Sequence, residues 1–130
     1  MITEQEIQLA RHCISYAVSH GADAARVSLS KSVMDGYTFL NGELDKVTHS
    51  ADRSIYLFIF ADSRYGTFST NRLEKEELEN FISKAITMVK MLGEDGCRCL
   101  PDPERMERNA AGGRELDLYD EGYENSNAAK

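Results

Sequence analysis

The sequence predicts an α+β fold, a two-layer sandwich in which an antiparallel four-stranded meander carries two helices on one face, with an extended C-terminal tail. Three observations predict it. Apolar residues recur at helical spacing near Ile7–Val18 and again near Leu78–Leu92. Between these stretches the pattern switches to alternation broken by turn signals. Within it, Ile55–Ala61 is apolar on both faces, as a central strand covered on both sides would be, or one covered on one side and by a partner on the other. Tight hairpins impose antiparallel neighbours, and two amphipathic helices need one sheet face to lie on.

Each element follows from local chemistry. Thr3-Glu4-Gln5-Glu6 has the form of a capping box, in which the Thr3 hydroxyl and the Glu6 carboxylate satisfy each other's backbone amides. The first helix is predicted over 4–20, its apolar side formed by Ile7, Leu9, Ala10, Cys13, Ile14, Tyr16, Ala17 and Val18. Gln8, Arg11, His12, Ser15 and Ser19 form its polar side, and Gly21 can turn left-handed just past its end. Ala25, Val27 and Leu29 alternate with Arg26, Ser28 and Ser30 as a half-buried strand does.

Asn41-Gly42 then sits between two alternating runs and suits a type I′ hairpin turn, which sets Phe39 opposite Leu44. A bulge near Asp45-Lys46 would turn Val47 inward. Ser50–Arg53 reads as a second turn, and Asp62-Ser63 as a third, between Ile55–Ala61 and a returning strand Tyr65–Thr70. The second helix opens on the acidic turn Leu73–Glu77, which complements the positive end of its dipole. Its predicted buried stripe is Leu78, Phe81, Ile82, Ala85, Met88, Val89 and Leu92, and Gly93 stops it.

At 130 residues the chain is long enough for one well-cored domain, and its 42% apolar and 28% charged residues are ordinary for a soluble globular protein. The net charge of −7, with Lys and Arg scattered singly, argues against a direct nucleic-acid partner. Residues 1–93 hold 12 acidic and 10 basic side chains, a net of −2, whereas residues 94–130 hold 10 and 5, a net of −5. The expected division is therefore a domain over 1–93 and an extended acidic segment over 94–130. That segment has no sustained periodicity. Pro101, Pro103 and Gly112-Gly113 interrupt it, and Leu100, Leu116, Leu118 and Tyr119 are its main apolar anchors. No signal peptide or membrane span is indicated, and three cysteines fit a reducing cytoplasm better than a disulfide framework.

No residue set reads as a self-contained active site. The histidines His12, His20 and His49 lack metal-ligand spacing. Cys97-Arg98-Cys99 has no second ligand pair and lies in an acidic setting that does not activate a thiol. No G-x-S-x-G elbow occurs, and Glu76-Glu77 and Asp117/Asp120 are more simply a helix start and a solvated tail. Catalytic, cofactor-binding and metal residues are therefore expected to be absent. The most suggestive surface group is Arg64-Tyr65-Gly66, where a guanidinium and a phenol at a corner offer a possible interaction site. Its plainer reading is a solvated hairpin corner, with Gly66 relieving a twist or bulge.

Several ordered segments together resemble the N-terminal part of the TldD/PmbA family, known as modulators of DNA gyrase. They are HGADAARVSLSKS, NGELDKVTHSADRS, FADSRYGTFSTNRLEKEELENFISKA, GEDGCRCLPDPE and ELDLYDEGYENS. The resemblance covers nearly the whole chain. It implies a cytosolic metalloprotease of two homologous subunits, one carrying an H-E-x-x-x-H zinc motif well beyond the matched region. The SLSKS strand and the E-D-x-x-x-x-L-P-D-P segment look more like the PmbA (TldE) subunit, which lacks that motif. The resemblance thus implies a non-catalytic N-terminal part of a longer protein, with zinc expected only in a companion TldD-like subunit. The implied partners are that subunit and an unfolded peptide, with scaffolding as the expected role. The alternative is a free-standing protein-interaction module without a link to proteolysis.

Overall fold

The first helix obeys its predicted cap. In a computed structural model, which describes residues 2–106, 114–118, 120, 122 and 123, α1 runs Glu4–Ser19. The Thr3 backbone amide donates to Glu6 Oε2 at 2.7 Å, and the Glu6 amide donates to Thr3 Oγ1 at 3.3 Å, which closes the capping box. Gly21, at φ +101°, makes the left-handed exit.

After α1 come β1 (Ala24–Leu40), β2 (Glu43–Ala61), β3 (Arg64–Thr70) and α2 (Lys75–Lys90), then 3₁₀ turns at Pro103–Arg105 and Arg114–Leu116. The sheet order is β1-β2-β3, so β2 is central and β3 forms an edge. Among the described residues there are three strands, not four. Ser50–Arg53, expected as a turn, lies inside β2, where Ser50 Oγ donates to Asp52 and Arg53 reaches Glu6 of α1. Polar residues continue the strand because this stretch is largely solvated, so no apolar alternation marks it.

Both two-residue hairpin turns occupy positive φ. Asn41 and Gly42 lie at +53° and +83°, and Asp62 and Ser63 at +52° and +58°. The second turn has no glycine, and each non-glycine residue there costs roughly 1–2 kcal/mol. The turn is held by the Asp62 amide, which donates to Asp23 Oδ2 at 2.7 Å, and by the Arg64 guanidinium, which donates to the Asp62 carbonyl.

The chain divides into two compact units, Met1–Met34 with Ser50–Leu100, and Asp35–His49 with Pro101–Lys130. In the first, Ile55, Leu57, Ile59 and Ala61 of β2 point one way, onto Cys13 and Ala17 of α1 and Leu78, Ile82, Ala85, Ile86 and Val89 of α2. Both helices therefore cover the same sheet face, as predicted. The alternate residues Tyr56, Phe58 and Phe60 face the other way. There, Phe60 meets Tyr65 at 4.8 Å between ring centroids, and Arg26 lies over the Phe58 ring. The predicted α2 stripe holds at Leu78, Ile82, Ala85 and Val89, but Met88 and Leu92 are exposed and Ile86 is buried instead.

In the second unit, Asp35 accepts from His49 Nδ1 and from the Tyr123 hydroxyl, and Thr48 Oγ1 donates to the Gly36 carbonyl. These donors, Tyr123 first, hold the Asp35 carboxyl below the usual carboxylate range. The contacts Asp35–His49 and Gly36–Thr48 are offset by one residue from the pairing that a two-residue turn sets. An extra residue in the β2 arm would produce that offset. Val47 is nevertheless exposed, not turned into a core, and so are Leu116 and Leu118. Tyr119 lies outside the described residues.

Cys13 is fully buried, and desolvation pushes its thiol up to about 11. A water-soluble thiol reagent at pH 8 is therefore expected to label exposed Cys97 and Cys99 in the native protein, and Cys13 only after denaturation. Mass spectrometry of the intact labelled chain reads the difference. Rapid native labelling of Cys13 would contradict its burial.

Candidate functional site

The members of the Arg64-Tyr65-Gly66 corner do three different jobs. Arg64 Nε donates to the Leu92 carbonyl at 2.8 Å, one terminal nitrogen to the Asp62 carbonyl at 2.9 Å and the other to Glu94 Oε1 at 3.0 Å. Its planar fork thus ties the β2–β3 turn to the segment after α2. The Asp95 amide, donating to the Ser63 carbonyl at 2.8 Å, adds a second tie.

Gly66 does not relieve a bulge. It pairs in regular register with Ile59 and is buried under α2. A Cβ built there would lie 2.8 Å from both Val89 Cγ2 and Phe68 Cε2. The glycine is required by the close approach of helix and strand.

Tyr65, opposite Phe60 in the register, turns its ring to the face away from the helices. Its hydroxyl accepts from Thr67 Oγ1 at 2.7 Å, and the Arg98 guanidinium sits 5.1 Å from its ring centroid. Tyr65, Gly66, Thr67 and Phe68 form one wall of a groove of about 570 Å³, and Met88, Met91 and Leu92 form the other. Met88 and Met91 are 55% and 80% exposed. They leave a flexible apolar wall beside the sheet edge. Among the described residues, no backbone hydrogen bond joins Arg64–Thr70 to any segment outside the β2 ladder. Alternate amides and carbonyls of β3 thus point outward along the groove without backbone partners.

The groove is the combination of Tyr65, named from sequence, with Met88 and Leu92, which helical periodicity had assigned to the core. Their spacing was legible, but not their place at the rim, because helical periodicity does not tell which turn of α2 lies beside an edge strand.

The remaining polar groups are paired structurally. His12 Nε2 meets Glu79 Oε1 at 2.7 Å and the Tyr16 hydroxyl meets Ser83 Oγ at 3.3 Å, which links α1 to α2 through His12, expected on the polar side, and Tyr16, expected on the apolar side. His20 stacks on Tyr16 with centroids 3.8 Å apart, and its Nδ1 donates to the Tyr16 carbonyl at the helix end. Among the described residues, no group of three or more His, Cys, Asp or Glu side chains is placed to hold a metal ion. Among the same residues, no helix is long and apolar enough to cross a membrane.

Comparison with known proteins bears on this arrangement. Residues 25–89 match the family described as PmbA/TldA metallopeptidase domain 1. A solved structure from Bacteroides thetaiotaomicron VPI-5482, described as a "putative modulator of DNA gyrase", is 32% identical, with a TM-score of 0.77 over 98% of this chain and 28% of its own. TldE from Thermococcus kodakarensis, 18% identical, shares the fold with a TM-score of 0.64 over 86% of this chain and 25% of its own. The chain thus spans about a quarter of the length of these two solved chains. No curated protein matches the sequence. By the matched half of its residues, the chain belongs to the PmbA/TldA metallopeptidase family, whose domain 1 it carries.

Proposed function

We propose that this domain is a non-catalytic scaffold in a PmbA/TldE-type subunit of a two-subunit cytoplasmic metalloprotease. Its role is to guide an unfolded peptide and to contact a homologous TldD-like companion, which supplies the zinc. The single observation behind this reading is the unpartnered β3 edge beside an apolar groove. Such an edge takes an extended chain by main-chain hydrogen bonds, a mode indifferent to most side chains. No nucleic-acid or membrane contact belongs to this role.

The purified protein is expected to leave an unfolded fluorogenic peptide intact, with or without added zinc, and to be retained by an immobilised TldD-like subunit. Stoichiometric zinc bound by this chain, with hydrolysis lost on chelation, would overturn the proposal. Retention of an unrelated protein, with no retention by the companion, would favour the free-standing interaction module.

A further inference from the structure

The groove beside β3 has a side-chain preference as well as an edge. This inference rests on the strand-pairing reading above and deepens it. Successive residues of a strand paired along β3 alternate between its two faces, so every second side chain, at about 6.6 Å intervals, falls on the side of α2. There it would enter the space between Phe68 and the Met88, Met91 and Leu92 wall.

The charges at the rim define what fits. Arg64 and Glu94 neutralise each other at 3.0 Å, as do Arg98 and Asp95 at the same distance. Among the described residues that end of the groove presents no uncompensated charge, and an ionised side chain entering it would lose hydration with no partner among them in return. Further along the same stripe of α2, between Phe81 and Met88, Lys84 is exposed and in no ion pair among the described residues. Methionine walls adapt to unbranched, branched and aromatic side chains alike.

The geometry points to a specificity pocket for one large uncharged apolar side chain, such as Leu, Met or Phe, of an extended peptide laid along β3. An acidic residue is accepted only toward the Lys84 end.

The test uses three blocked seven-residue peptides, Thr-Ala-Thr-X-Thr-Ala-Thr, with Leu, Ala or Glu at X, titrated into the protein while its amide resonances are followed. The Leu peptide is expected to perturb amides of residues 64–70 and to bind about tenfold or more tighter than the Ala peptide, with the Glu peptide weakest. In the M88S/M91S variant, both sites being exposed, the Leu and Ala peptides are expected to bind alike. If all three peptides perturb residues 64–70 with equal affinity, the pocket is refuted and strand pairing stands. If none does, strand pairing fails and the pocket with it. Persistent Leu preference in the variant would refute the methionine wall as its source.

Discussion

Leu57→Ala is expected to lower folding stability by about 3 kcal/mol, read as a lower urea midpoint at unchanged slope. Leu57 is fully buried in the central strand opposite Phe68, on the face covered by α1 and α2. Truncation removes three carbons from a site walled by two helices and two strands, where little can collapse into the void. The neighbouring Tyr56→Ala is the internal control. Tyr56 points to the face without helices and is 41% exposed, so its loss is expected to cost less than about 1 kcal/mol. Equal losses at the two positions would mean that the helices do not share one face of the sheet.

Gly66→Val is expected to cost about 2–3 kcal/mol, in the range of overpacking substitutions. The added atoms meet the Val89 methyl and the Phe68 ring, both confined by the core, and neither is the loose end of a flexible side chain. If close packing is the cause, Gly66→Ala in a Val89→Ala background is expected to cost less than in the wild type. A double-mutant cycle would then show a coupling of about 1 kcal/mol. Gly93→Ala, whose added Cβ meets nothing within 4 Å, serves as the neutral reference. A harmless Gly66→Val would show that α2 does not rest on β3.

Those two sites mark where sequence reasoning succeeds and where it stops. The capping box at Thr3 and Glu6 and the left-handed Asn41-Gly42 turn are local, because their causes lie within four residues of chain. The doubly apolar run Ile55–Ala61 declares a central strand, because one alternate set meets the helices and the other forms an aromatic row with Tyr65. The join across Ser50–Arg53 escaped detection, since a strand solvated on both faces carries turn-like residues and no period. Gly66 was noticed but assigned to the wrong cause. Its neighbour Val89 is 23 residues away, and a clash that never forms leaves no local pattern. Arg64 was likewise singled out as a possible recognition group. Only the fold shows three of its five donors committed to Asp62, Leu92 and Glu94. The pairing of His12 with Glu79 spans 67 positions and could not be anticipated from a helical wheel.

Residue-resolved amide hydrogen exchange tests the availability of the β3 edge most directly. Every amide of Ile55–Ala61 is expected to be strongly protected, because β2 is hydrogen-bonded on both sides. Along Tyr65–Ser69, slow amides that point to β2 are expected to alternate with fast ones that point to solvent. Uniformly slow exchange through Tyr65–Ser69 would mean that the edge is already occupied and has no place for an incoming strand.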